Sequence, residues 1–191
     1  MLAADEGAIL PVPLFTSQVL DDGFLAAPPI PTTWAPGTSL RLRGPLGHGF
    51  SIPEGIRRLA LVAFGDTSAR LSPLIYIAVR RDISVALFTN ARVFSLPAAV
   101  EINVLAAISE ALSWADYLMA DVPFEVLPGL RAALGVDHSA GLPCRGQALV
   151  VAPMPCGGMA DCGVCAFTSR RGWKYLCKDG PVVDLSELIG S

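Results

Sequence analysis

Charge is scarce in this chain. Of 191 residues, 14 are basic and 17 acidic, a formal net charge of −3, and charged residues make up 16%, against about 25% in a typical soluble domain. No basic excess exists to hold a phosphate backbone, which argues against nucleic acid as a partner. With 52% hydrophobic residues, the chain can bury a large core and is not disordered. Mean hydropathy is +0.52, yet a long unbroken apolar run is missing. The longest oily stretch, Leu59 to Val79, is interrupted by Gly65, Asp66, Thr67, Ser68 and Arg70. A spanning helix needs about 20 largely apolar residues without such a break. The excess apolar content points instead to a core plus a surface covered by a partner protein. Bases are also missing from the N-terminus. Met1-Leu-Ala-Ala-Asp-Glu carries acids where a signal peptide needs bases, which predicts a cytoplasmic protein. Thiols stay reduced there, so the five cysteines need an explanation other than disulfides.

Composition divides the chain into three zones. Residues 1–56 are rich in proline and glycine, with short alternations such as Ser39-Leu40-Arg41-Leu42-Arg43. They predict a few short strands joined by turns, including Gly44-Pro45-Leu46-Gly47-His48-Gly49. Residues 57–152 change character. Arg58-Leu-Ala-Leu-Val-Ala-Phe64 reads as a strand buried on both faces. Thr67 or Ser68 can cap a helix running to about Arg81. Further strands are expected at Ile83–Phe88, Ala99–Val104 and Tyr117–Val122, with a last one at Ala148–Ala152. Helices are expected at Ile108–Trp114 and Leu127–Leu134, although Val104–Met119 also fits one long helix. Alternating strands and helices imply right-handed crossovers and a mostly parallel sheet, an α/β fold. The third zone, 153–191, holds four of the cysteines and is too glycine-rich in its centre for a core of its own.

Those four cysteines are Cys156, Cys162, Cys165 and Cys177, spaced C-x5-C-x2-C-x11-C. A Cys-x-x-Cys step lets two thiolates face one metal centre from a single tight turn. Gly157, Gly158 and Gly163 permit positive φ and close backbone approach, so that amide N–H groups can face the sulfurs. Such bonds stabilise the more negative reduced state of a cluster. The spacing is close to the plant-type ferredoxin run C-x4-C-x2-C…C, which holds a 2Fe–2S cluster, with one residue more between the first two cysteines. Structural zinc usually shows two paired steps or histidines. Here Cys162 and Cys165 form one such step and no histidine lies nearby. Iron–sulfur is favoured, and zinc stays as the alternative. Cys144 stands apart and reads as a small buried apolar residue.

The block Pro153-Met-Pro-Cys…Cys-Gly-Val-Cys-Ala…Gly172-Trp-Lys…Cys177-Lys-Asp-Gly-Pro-Val-Val-Asp-Leu resembles the iron–sulfur region of the electron-transfer subunit of dihydroorotate dehydrogenase B. Gly44-Pro-Leu-Gly-His-Gly-Phe50 is similar to that family's turn between its flavin barrel and its nucleotide domain. The two matches span roughly residues 35–191 in consistent order. The resemblance implies a partial β-barrel at 1–56, a ferredoxin-reductase-like parallel-sheet nucleotide domain at 57–152 and a small 2Fe–2S cluster domain at 153–191. It implies a role as a non-catalytic electron-transfer subunit of a heteromeric oxidoreductase. The partner would be a dihydroorotate dehydrogenase-like subunit of pyrimidine biosynthesis, with its own flavin active site. FAD on this chain is a further implied cofactor, and further copies of the chain in the assembly are compatible with the pattern.

Two departures from the family pattern carry expectations of their own. Residues 1–56 are too few for a complete six-stranded flavin barrel, and an Arg-x-x-Ser-type flavin motif is missing. After the first buried strand stands Phe64-Gly65-Asp66-Thr67-Ser68-Ala69-Arg70-Leu71-Ser72-Pro73, where a glycine-rich turn would let a cofactor's phosphates approach the backbone. Asp66 adds a negative charge there. Like charges at about 4 Å cost about 1 kcal/mol in water and several-fold more in a cleft. Weak or no NAD(P)H binding is expected, with Arg70 read as a solvated helix residue. Asp137-His138-Ser139 has no nucleophile elbow and cannot form a triad from adjacent residues. His48 reads as a solvated loop residue, Asp21 and Asp22 as a turn, and Trp34 and Trp114 as core or interface. Lys178 and Asp179 are expected to shape the turn after Cys177, and Trp173 and Tyr175 to cover the cluster. The competing reading is a metal-stapled structural or binding subunit. A self-contained flavin reductase is a third.

Overall fold

The computed structural model describes residues 1–93, 95–136 and 142–188. Asp137, His138 and Ser139 lie outside the described residues. Prolines and turns keep the N-terminal segment in short pieces. β1 (Leu2–Ala4), β2 (Val12–Pro13) and β5 (Arg41–Arg43) form one antiparallel sheet, and β3 (Thr16–Leu20) and β4 (Gly23–Ala26) form a hairpin closed by the expected turn at Asp21 and Asp22. Leu2, Ala3, Leu14 and Ala27 are buried and anchor these pieces to the rest.

The central sheet comes from β6 (Arg58–Ala63), β7 (Ser84–Thr89), β8 (Val100–Asn103), β9 (Tyr117–Pro123) and β10 (Arg145–Val151). All five run parallel, and their spatial order is β10-β9-β6-β7-β8. Numbered along the sheet segment alone, that is the doubly wound order 3-2-1-4-5, whose direction reverses between β6 and β9. The apolar runs follow from burial on both faces. Ala60, Val62, Leu118 and Ala120 pack on one side under α2 (Ile108–Trp114). Leu59, Leu61, Tyr117 and Met119 pack on the other under α1 (Ser72–Arg80). The Val104–Met119 ambiguity resolves into a helix followed by a strand. Ala115, extended at ψ 143°, ends the helix.

Several expectations need correction. The helix after β6 starts at Ser72, preceded by a 3-10 turn at Ala69–Leu71. Pro73, at the start of α1, is preorganised for a first helical turn and suits no later position. Around Leu127–Leu134 a 3-10 stretch, Phe124–Gly129, precedes α3 (Leu130–Ala133), because Pro128 cannot donate a helical hydrogen bond. β10 is also not the last strand. β11 (Ala166–Ser169) and β12 (Gly172–Tyr175) form a hairpin, followed by α4 (Leu176–Asp179), β13 (Val182–Asp184) and α5 (Leu185–Leu188). β13 joins the edge of the central sheet antiparallel to β10, with Val182 opposite Leu149. Among the described residues, no helix is long and apolar enough to cross a membrane.

The two sequence signatures meet in space. The His48 N–H donates to the Gly180 carbonyl, and the Val182 N–H donates back to the His48 carbonyl at 3.3 Å. His48 and Pro181 form a parallel bridge. A Cβ on Gly47 would stand 1.6 Å from the Gly180 oxygen, and Gly47 has φ +60°. Gly47→Ala is therefore expected to destabilise the fold by roughly 2–5 kcal/mol, from overpacking plus left-handed strain. A lower denaturant midpoint at unchanged slope would record it.

Candidate functional site

The loop between β10 and β11 turns back on itself through four left-handed residues. Gly157, Gly158 and Gly163 have φ of 68°, 79° and 73°, and Ala160 has φ 59°. Backbone amides in these turns favour thiolate charge: those of Asp161, Cys162 and Met159 at Cys156, and that of Ala160 at Cys177. The amides of Asp161 and Cys162 chiefly hold the Cys156 thiol down to about 6. Burial, helped by the adjacent Cys165, pushes Cys177 up to about 11. Glycine is favoured at 158 by its left-handed φ of 79°, and Leu46 Cδ1 lies 2.9 Å from where a Cβ would stand.

All five cysteines are free thiols. Four of them influence one another: Cys162 helps lower the Cys156 pKa, and Cys165 and, more weakly, Cys156 help raise that of Cys177. Among the described residues, no group of three or more His, Cys, Asp or Glu side chains is arranged to hold a metal ion. Cys165 and Cys177 lie in the main hydrophobic core at 2% and 3% exposure, with Met154 and Leu176 as neighbours in that cluster. Cys156 is half-buried and Cys162 exposed, so one side of the constellation faces solvent. The Leu176 N–H donates to the Cys165 carbonyl at 3.1 Å, which ties the Cys177 turn to the loop. Asp179 accepts from the Tyr175 N–H at 2.9 Å and shapes that turn as expected, whereas Lys178 is exposed. Tyr175 packs against the core. Trp173 is 73% exposed and shields little. Cys144 is half-buried beside Arg145, Arg170 and Asp184, and burial raises its thiol pKa.

The constellation sits against the N-terminal segment. Leu2 and Leu46 touch the loop at Gly158, and Arg43 Nη1 comes within 3.5 Å of the Cβ position of Gly157. On the other side of Leu46 lies a recess of about 550 Å³ bounded by Met1, Phe15, Gly47, Leu149 and Val182. Its volume suits a flavin ring. The phosphates of an FAD would find Arg70 as the one arginine or lysine on its wall, and Arg70 is already engaged.

That engagement is a site the sequence reading missed. Arg70 is 8% exposed, not solvated. Its Nε donates to Asp121 Oδ2 at 2.8 Å, its Nη1 donates to the Pro28 carbonyl at 2.9 Å, and its guanidinium lies 5.8 Å from the Phe15 ring centroid. Asp121 is fully buried, and its Oδ1 has no hydrogen-bond partner among the described residues. Burial lifts its carboxyl to about 6 against the opposing pull of Arg70. A lone acid inside Tyr117-Leu-Met-Ala-Asp-Val122 was the available signal, since a carboxylate in a doubly buried strand needs a cation. Beside it, at the carboxyl ends of the parallel strands, a crevice of about 710 Å³ is lined by Gly65, Asp66, Thr67, Arg92, Pro123 and Glu125, among others.

No protein-family model matches this chain, and no curated protein matches it. A solved structure does. The NADH-dependent reduced ferredoxin–NADP oxidoreductase, described for insights into flavin-based electron bifurcation, aligns with a TM-score of 0.73 at 16% sequence identity. The alignment covers 98% of this chain and 78% of that one. With the parallel sheet and its strand order, this likeness gives the chain a ferredoxin-reductase-like α/β fold.

Proposed function

We propose that this chain is an electron-transfer subunit that holds a 2Fe–2S cluster on Cys156, Cys162, Cys165 and Cys177 and passes electrons between a flavoprotein partner and an acceptor. The observation behind it is that Cys156, Cys162, Cys165 and Cys177 act on one another, while left-handed residues at 157, 158, 160 and 163 turn the loop that carries three of them. A two-iron cluster takes two thiolates on each iron, while zinc takes four around one point. The residues fit the cluster in charge as well. Amides at Cys156 and Cys177 favour thiolate charge, and Gly157, Gly158 and Gly163 permit the turns that carry them. When bound, the cluster supplies one-electron chemistry.

The chain's own residues then divide the work. Cys165 and Cys177 root the centre in the core. Cys162 marks the side open to a partner, beside Met159 and Val164 at 62% and 44% exposure. Leu46 separates the loop from the recess in which a flavin ring would sit. Residues 1–56, 57–152 and 153–191 act as barrel remnant, nucleotide-domain scaffold and cluster segment. The sequence signatures at Gly44–Phe50 and Cys177–Val182, joined through His48 and Pro181, favour a dihydroorotate dehydrogenase-like partner in the cytoplasm. The neighbour's ferredoxin and flavin chemistry is consistent with the electron-transfer role.

Anaerobic preparation with iron and sulfide supplied tests the proposal. The expected product is brown, holds iron and labile sulfide in equal amounts, and gives an EPR signal once reduced by dithionite. Co-purification is expected to bring a flavin-containing subunit. A colourless chain loaded with zinc would replace the proposal with the alternative, a metal-stapled structural subunit.

A further inference from the structure

We infer that the crevice at the carboxyl ends of β6 and β9 is closed to dinucleotides, because its phosphate cradle has become a strut built on Arg70, and that electrons therefore enter and leave this chain through protein partners alone. The second clause rests on the proposed electron-transfer role; the first does not.

The crevice lies where the order of the parallel strands reverses, the place where this topology takes a dinucleotide. A pyrophosphate there needs open backbone amides at the start of the following helix, glycine for close approach, and no opposing charge. Each requirement is met only in part. The Ala69 N–H already donates to Thr67 Oγ1 at 3.1 Å, and the Leu71 N–H to the Ser68 carbonyl at 3.0 Å. Pro73 has no N–H to offer. Gly65 is the single glycine of the turn, and its open side faces Pro123 Cγ and Arg70 Nη2, at 3.2 Å and 3.6 Å from the Cβ position. Asp66 and Glu125 place carboxylates on the wall.

The cations do not compensate. Arg70 is committed to Asp121, Pro28 and Phe15. Arg92, also on the wall, has an interaction of its own. The three contacts of Arg70 fasten the N-terminal segment beside the crevice, and Pro28 and Pro29 line its mouth. The turn that elsewhere receives phosphate here joins two parts of one chain.

NADH and NADPH are the probes, used on the cluster-loaded full chain under anaerobic conditions. Calorimetry is expected to show binding weaker than about 1 mM for either, at least about 100-fold short of a 10 μM site. NADH alone is expected to leave the visible absorption unbleached, while dithionite bleaches it. A micromolar Kd, or bleaching by NADH alone, overturns the inference. If dithionite bleaches nothing, the electron-transfer role and the clause on protein partners fail together. Calorimetry still decides whether the crevice takes a dinucleotide.

Discussion

A Cys177→Ala chain is expected to emerge without iron, without labile sulfide and without visible absorption, even when both components are supplied anaerobically. Cys177 is 3% exposed and lies with Cys165 in the main core. Under the proposed ligation its loss would leave one iron with a single protein thiolate. Iron content is expected to drop by more than the 10–100-fold typical of losing a mere supporting contact. Metal binding that organises a segment is also folding free energy, about 10–16 kcal/mol for zinc in small peptides. The loop from Cys156 to Cys165 is thus expected to become protease-sensitive in the variant. Cys144→Ala is the control, since Cys144 lines a recess with Arg145, Arg170 and Asp184 that none of the four lines, and it is expected to keep colour and iron. A brown, EPR-active Cys177→Ala protein would remove this residue from the ligand set.

Arg70→Ala is expected to cost roughly 3–5 kcal/mol, because it strands a buried carboxylate. Asp121 has no exposure, and its Oδ1 already lacks a partner. The double change Arg70→Met with Asp121→Leu is expected to recover most of that loss, since well-packed apolar groups replace buried pairs at little cost. Chemical denaturation of the two variants decides between an electrostatic origin and simple loss of packing. The same pair predicts a pH effect. Burial raises the Asp121 carboxyl to about 6, with Arg70 opposing. A carboxyl raised in the folded state holds its proton more tightly there than in the unfolded chain. Its contribution is complete below about pH 4 and is lost as pH rises through about 6. Wild type is therefore expected to lose stability relative to Asp121→Asn across that window and to level off above it. A flat difference from pH 4 to 7 would contradict the raised value.

Much of the α/β scaffold was legible from residue patterns. Strands buried on both faces leave continuous apolar runs; β6 and β7 carry them through their centres, and β9 is broken only by Asp121. Boundaries were less legible near proline. Pro73 and Pro128 each shifted a helix start, because a missing N–H restricts where a helix begins and a 3-10 turn fills the gap. The four cysteines stood out in the sequence by a spacing that a metal centre would demand, whatever the surrounding fold. Trp173 misled, since an aromatic near the cysteines in sequence lies exposed on β12 in space.

Local chemistry thus determined which elements form, since strands and helices follow from periodicity within a few residues. Tertiary structure alone decided the bridge from His48 to Pro181 and the tie between Arg70 and Asp121 across 51 positions. Each joins groups distant along the chain, and their energies arise only when burial removes water from both partners.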